Sequence, residues 1–226
     1  MARKRGDMHE KKFSKGEAIR FGWNTTLANA GFFVGVFLLA WFIGMSLNVM
    51  QEITKDKYPL FSFSVALGAI FMNGLFSVGF TKIGLKFCDQ EKGSVQDLFA
   101  YPHLFLKYVF ASILYGLAIM GGLICLIVPG IILMVRLQFF LYLIVDRNFG
   151  IMESLKKSFA MTKGQTGELF LFGLLCLLIN LGGLICLFIG LLVTVPTTLL
   201  AQAFVFQKLL ATVTEEVVMP GTILQN

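Results

Sequence analysis

Arg136 stands alone in an uncharged apolar run, and its type and setting mark it as the side chain most suited to chemistry. It lies six residues beyond Gly130. At ~1.5 Å per residue, that places it ~9 Å below the outer end of its helix. A lone guanidinium in hydrocarbon costs at least ~2.5–3.5 kcal/mol, and no Asp or Glu occurs in the neighbouring apolar cores. The polar groups available to it are Gln138, Asn180, Thr194, Gln202 and the carbonyl of Leu192, which Pro196 leaves without a helical donor. Two readings stay open. Arg136 forms an anionic-ligand site, for instance for a lipid phosphate reached from the outer leaflet, or it snorkels to headgroups and locks helices together.

Other chemistry is thinly represented. There is no HExxH, GxSxG, P-loop or GxGxxG, and no paired carboxylates fall within apolar runs. The apolar runs hold no His or Asp, which argues against intramembrane proteolysis, and no acid of the kind that couples transport to protons or sodium. No enzyme activity, metal or cofactor is expected. Asn73 and Asn180 are amides suited to joining helices, each worth about 0.6–2 kcal/mol. Asp146-Arg147 reads as a local pair, and Gly31 and Gly35 form a small-xxx-small pair. Cys88, Cys125, Cys176 and Cys186 contain no CxxC; they read as small apolar residues, with a Cys125–Cys186 disulfide as the alternative.

The elements that position these residues follow from composition. The 226 residues are 57% hydrophobic and 14% charged, with a mean hydropathy of +0.79. Soluble domains carry roughly 45–50% apolar and about 25% charged residues. A helix of ~20 apolar residues crosses ~30 Å of hydrocarbon. Runs at Ala30–Met50, Leu60–Phe80, Phe105–Val128, Ile131–Val145, Leu169–Ile189 and Leu191–Leu210 predict about six transmembrane helices. The first is too long for a signal-peptide core and is expected to remain as an anchor.

The hexapeptide Gly-Gly-Leu-Ile-Cys-Leu occurs twice, at 121–126 and 182–187. A shift of about sixty residues also aligns Gly190 with Gly130 and Pro196 with Arg136. Such recurrence indicates duplicated membrane hairpins, with Pro129-Gly130 closing one of them.

Charge supplies an orientation. Arg3, Lys4, Arg5, Lys11, Lys12, Lys15 and Arg20 precede the first run; Lys82, Lys86, Lys92 and Lys107 fall between the second and third. Arg147, Lys156, Lys157 and Lys163 fall between the fourth and fifth, whereas the opposite side holds only Lys55 and Lys57. The positive side is cytoplasmic, and both termini lie there. Net charge +6 then suits anionic headgroups rather than nucleic acid. Ile19, Trp23 and Leu27 form an apolar stripe opposite Lys15, Arg20 and Asn24. Ile151, Leu155 and Phe159 do the same opposite Glu153, Lys156 and Lys157, and Gln96-Asp97-Leu98-Phe99 occupies the matching place in the middle. Interfacial helices carry this pattern, so Lys15, Arg20, Lys156 and Lys157 are candidate headgroup contacts. Packing of the same helices on the cytoplasmic face is the other reading.

The expected fold is all-α and integral to the membrane: three parallel-repeated hairpins, each preceded by a cytoplasmic amphipathic interfacial helix. Residues 1–13 form a basic tail, 14–211 the membrane domain (units of about 14–88, 92–147 and 150–211), and 212–226 a C-terminal tail.

Cys125-Leu-Ile-Val-Pro-Gly130, Arg136, Ile144-Val-Asp-Arg147, Glu153-Ser-Leu-Lys-Lys-Ser158 and Gly16-Glu-Ala-Ile-Arg-Phe-Gly-Trp23 carry a resemblance. Over roughly Phe13 to Ala211 the chain resembles bacterial polytopic membrane proteins of unknown function. These are related to the membrane domain of glycerophosphoryl diester phosphodiesterases. The resemblance implies a membrane fold without an assigned activity, and the phosphodiesterase activity is not carried over. The functional expectation is a non-enzymatic protein of the bacterial cytoplasmic membrane, associated with anionic lipid, a protein partner or a second copy. A small transporter or lipid-moving protein with an anionic site near Arg136 is the alternative.

Overall fold

The computed structural model describes residues 13–186 and 190–218, and they are helical almost throughout. The basic tail residues Arg3, Lys4, Arg5, Lys11 and Lys12 lie outside the described residues, as does most of the C-terminal tail. In order, the helices are α1 (Lys15–Ala28), α2 (Ala30–Thr54), α3 (Pro59–Cys88), α4 (Phe105–Cys125), α5 (Ile127–Leu137), α6 (Phe140–Arg147), α7 (Ile151–Met161), α8 (Thr166–Ile185) and α9 (Leu191–Val218). Six stretches are long and apolar enough to cross a membrane: α2, α3, the stretch ending in α4, α5 with α6, α8 and α9. The chain is a multi-pass membrane protein.

Burial divides these six unequally. Over an eighteen-residue apolar window of each stretch, 11% of residues are buried in α2 and 33% in α3; in the second hairpin the values are 11% and 44%, and in the third 22% and 50%. The second helix of each pair therefore builds the core, and the first turns its side chains outward. Tyr142 of α6 stacks on Phe206 of α9 at 5.2 Å, while Leu199 and Ala203 of α9 close on Gly84 of α3. Leu143, Ile144, Leu200, Val205 and Phe206 are fully enclosed where these helices meet. Trp41, Phe42, Leu60 and Ile124 are more than 60% exposed, as side chains in contact with acyl chains are.

The segments preceding the outward helices fold back onto the inner ones. α1 lies against α9, with Phe21 stacked on Phe204 at 5.0 Å. Residues 89–104 return along α3: the Leu98 backbone rests on Gly79, Phe99 meets Phe76 at 5.8 Å, and Lys86 pairs with Asp97 at 2.7 Å. α7 lies beside α5 and α6.

The middle segment departs from the sequence expectation. The 96–99 segment is a short 3-10 turn, Val95–Leu98, opened by a Ser94–Asp97 capping box, rather than an amphipathic α-helix. Pro102, which has no backbone N–H, keeps it from extending. α1 packs through Ala18, Gly22 and Thr26, while Trp23 and Leu27 point outward. Close helix approach needs small side chains, so the small stripe wins the interface. Gly31 and Gly35 meet nothing within 4 Å and play no part in internal packing.

The second hairpin reverses at Leu126, an extended residue between α4 and α5, rather than at Pro129-Gly130. Pro129 fits the first turn of α5, where a missing N–H costs nothing. Gly130 instead lies against Gly122: a Cβ on Gly122 would fall 2.9 Å from the Gly130 Cα. Gly183 and Gly190 meet in the same way, a Cβ on Gly190 falling 2.6 Å from the Gly183 carbonyl oxygen. In both copies of the hexapeptide the second glycine is the contact, and the first, Gly121 or Gly182, faces open space. Gly122→Ala and Gly183→Ala are each expected to cost about 1–3 kcal/mol by overpacking. Gly121→Ala and Gly182→Ala should leave the thermal unfolding midpoint in detergent unchanged or raise it. Equal midpoints for the two members of a pair would refute the assignment.

Candidate functional site

Arg136 lies near the end of α5, where the fourth apolar stretch is broken between Leu137 and Phe140. A broken helix frees backbone groups that hydrocarbon cannot satisfy, so they need partners from protein. α7 provides them. The Phe139 N–H donates to Ser158 Oγ at 3.2 Å, and that hydroxyl donates to the Arg136 carbonyl at 2.9 Å. Thr162 Oγ1 lies 3.2 Å from the same carbonyl and 2.9 Å from that of Ser158. Ser158 and Thr162 are one helical turn apart and fully buried, which aligns both hydroxyls on the break.

The arginine side chain turns to the same helix. Its Nη2 donates to the Phe159 carbonyl at 2.9 Å, and its guanidinium carbon lies 3.4 Å from the centre of the Phe159 ring. The Nε is buried without a hydrogen-bond partner. No carboxylate forms an ion pair with Arg136 among the described residues. The partner is thus neither an amide of α8 or α9 nor the Leu192 carbonyl. It is the aromatic Phe159, on the helix that carries Lys156 and Lys157.

The other candidates are divided among helices. Gln138, half-buried, leaves its Nε2 buried and unpaired at the break. Asn180 Nδ2 donates to Thr198 Oγ1 at 3.2 Å, joining α8 to α9, while Asn180 Oδ1 and Thr194 Oγ1 are buried without partners. Gln202 lies one turn beyond Thr198 on α9, half-buried. Arg136 bonds to α7 and Asn180 to α9, so hydrogen bonding does not unite the four residues. Asn73 is exposed and donates to the Ala69 carbonyl of its own helix, not across the bundle. Asp146 and Arg147 form the local pair expected, at 2.8 Å. All four cysteines are free thiols.

The basic residues differ in availability. Lys15 pairs with Glu168 at 2.7 Å, and Lys208 stands 4.0 Å from Glu17. Together with Phe13 and Ser14 these residues line a cleft of about 370 Å³. Lys157 lies over the Phe149 ring at 4.3 Å, and Lys107 donates to Asn148 Oδ1 at 2.8 Å. Arg20 and Lys156 are exposed on α1 and α7. No group of three or more His, Cys, Asp or Glu is arranged to hold a metal ion among the described residues.

Sequence reasoning gave Phe159 only an interfacial role and assigned no contact with Arg136 to Ser158 or Thr162. The available signal is two hydroxyl residues spaced by four at the end of this charged helix.

Comparison with known proteins adds breadth without an activity. No family model matches the chain, and no solved structure matches it. A relation to the phosphodiesterase membrane domain has no support in these comparisons. An uncharacterised protein of Mycobacterium bovis is 28% identical over 137 residues, covering 61% of this chain and 42% of the relative. An uncharacterised protein of Mycobacterium tuberculosis strain H37Rv is 27% identical with the same coverage. The match spans less than half the length of these relatives.

Proposed function

We propose that this chain is a non-enzymatic protein of the bacterial cytoplasmic membrane that gathers anionic lipid on its basic side, with both termini in the cytoplasm. The observation that carries this reading is the composition of the exposed faces of α1 and α7. Arg20 stands with exposed Trp23 and Leu27, and Lys156 with exposed Met152 and Phe159. Neither cation has a carboxylate partner among the described residues. Exposed apolar side chains next to unpaired cations suit the headgroup boundary, where chains dip inward and charges meet phosphate. The lysine distribution supports the orientation. Matching glycine contacts in two hairpins, and the same burial order in all three, support a parallel threefold repeat.

The protein purified from membranes of mixed zwitterionic and anionic lipid should retain an excess of the anionic species. Arg20→Glu with Lys156→Glu should lower that excess several-fold at unchanged thermal midpoint. An unchanged lipid ratio would remove the proposal. Orientation is tested on a cysteine-free background carrying Lys156→Cys, whose labelling from outside intact cells would reverse it.

The broken fourth stretch favours a second reading, a small transporter or lipid-moving protein. Broken helices in transporters commonly frame their substrate sites. Uptake or lipid flip-flop in proteoliposomes that depends on Gln138 and Arg136 together would establish it, and none above empty vesicles would dismiss it.

A further inference from the structure

We propose that Arg136 is the specific binding point for one phosphate group of an anionic phospholipid, held in the leaflet on the side of α7. This rests on the lipid-associated reading and assigns it a discrete site. The guanidinium carries a full charge, and among the described residues its polar acceptor is a single neutral carbonyl, that of Phe159. One donor is engaged there and one face is covered by the Phe159 ring, while the Nε lies buried with no partner. Gln138 Nε2, two residues on, is a second buried donor without an acceptor. A cation on a half-exposed residue, with no carboxylate partner among the described residues, calls for an oxyanion. A planar guanidinium offers two parallel N–H bonds to a phosphate, a stronger contact than a point charge gives.

The source of that phosphate follows from the residues around it. On the same helix Ile127, Val128, Ile132 and Met134 are exposed apolar side chains, 40–69% accessible. Arg136 is the tenth residue of α5. It therefore lies ~14 Å along the axis from the hairpin tip, and Phe159 and the hydroxyls of α7 begin at that level. Acyl chains along α5 and a phosphate at Arg136 satisfy the apolar and the charged part of the helix in one molecule. Free phosphate would satisfy only the second. Ser158 and Thr162 hold the Arg136 carbonyl, so the backbone that carries the guanidinium is positioned before any lipid arrives.

The test counts lipid on the intact protein. Purified protein is exchanged into detergent with phosphatidylglycerol or phosphatidylcholine and analysed by native mass spectrometry, and thermal midpoints are recorded in parallel. Wild type should retain one phosphatidylglycerol at least tenfold more persistently than phosphatidylcholine. Arg136→Gln should abolish the difference, and Arg136→Lys should reduce it several-fold while the protein stays folded. The Arg20→Glu, Lys156→Glu variant should keep this single lipid while losing the general anionic excess, which separates failure of the site from failure of the basic face. Equal retention by wild type and Arg136→Lys overturns the proposal, even if the glutamine variant fails to fold. So does Arg136-dependent stabilisation by inorganic phosphate alone in neutral detergent, which would identify a free anion as the ligand.

Discussion

Gly22→Leu is expected to separate α1 from α9 and to yield little monodisperse protein; Gly22→Ala should already lower the thermal midpoint. A Cβ at this position would lie 2.2 Å from the Thr197 carbonyl oxygen, 3.1 Å from its carbon and 3.2 Å from the Ala201 nitrogen. All three are backbone atoms of one helix, so no rotamer change relieves the clash. Alanine in place of glycine gains roughly 1 kcal/mol in an unconstrained helix, whereas overpacking costs typically 1–3 kcal/mol and sometimes more. The clash wins because separating the helices also disturbs the Phe21–Phe204 stack and the burial of Ala18 and Thr26. The net loss for Gly22→Ala is about 1–2 kcal/mol, and for leucine it is larger. Gly31→Ala and Gly35→Ala are the controls, since both positions face open space. Fluorescence-detected size exclusion after heating reads all four variants. Equal midpoints for Gly22→Ala and wild type would show that α1 does not dock on α9 in this way.

Ser158→Val is expected to release α7 from the broken stretch. Valine keeps the bulk but removes the hydroxyl that accepts from the Phe139 N–H and donates to the Arg136 carbonyl. Ser158 is fully enclosed, so water does not replace it. Leaving a buried donor or acceptor unpaired costs about 1–3 kcal/mol. Thr162 still reaches the Arg136 carbonyl, which limits the damage on that side. A loss of about 2–4 kcal/mol follows from the Phe139 N–H and a weakened carbonyl contact together. Trypsin should then cut faster at Lys156, Lys157 or Lys163 in the folded, detergent-solubilised protein. Cutting at the wild-type rate would show that α7 is held by its apolar contacts alone.

These two positions also mark where the sequence could be read and where it could not. The six crossings were legible because hydrocarbon imposes a length, and α2, α3 and α8 fall close to the apolar runs. Which face packs was less legible. In water an Ile19-Trp23-Leu27 stripe would turn inward. In lipid large apolar residues are at ease outside, and backbone proximity decides for Ala18, Gly22 and Thr26. The repeated hexapeptide revealed two related glycine contacts, but Pro129 suggested the wrong residue for the reversal in the first, since proline serves a first helical turn as well as a loop. Arg136 stood out by charge alone. Its carbonyl acceptor belongs to the backbone of Phe159, and a backbone acceptor leaves no mark in residue identity. Nothing in the spacing announced the interruption after Leu137 either, because its bonds are completed by a different helix.

The unequal burial of the paired helices bears on how each comes to reside in the bilayer. α9 has a mean hydropathy of 1.2 over an apolar eighteen-residue window, against 2.1 for α2 and 2.2 for α8, and half of that window is buried. As an isolated segment it would partition weakly. Thr194, Thr197, Thr198, Gln202 and Gln207 are tolerable because much of the helix meets protein rather than acyl chain. Its place in the membrane is a property of the assembled bundle, whereas α2 and α8 hold theirs by composition alone.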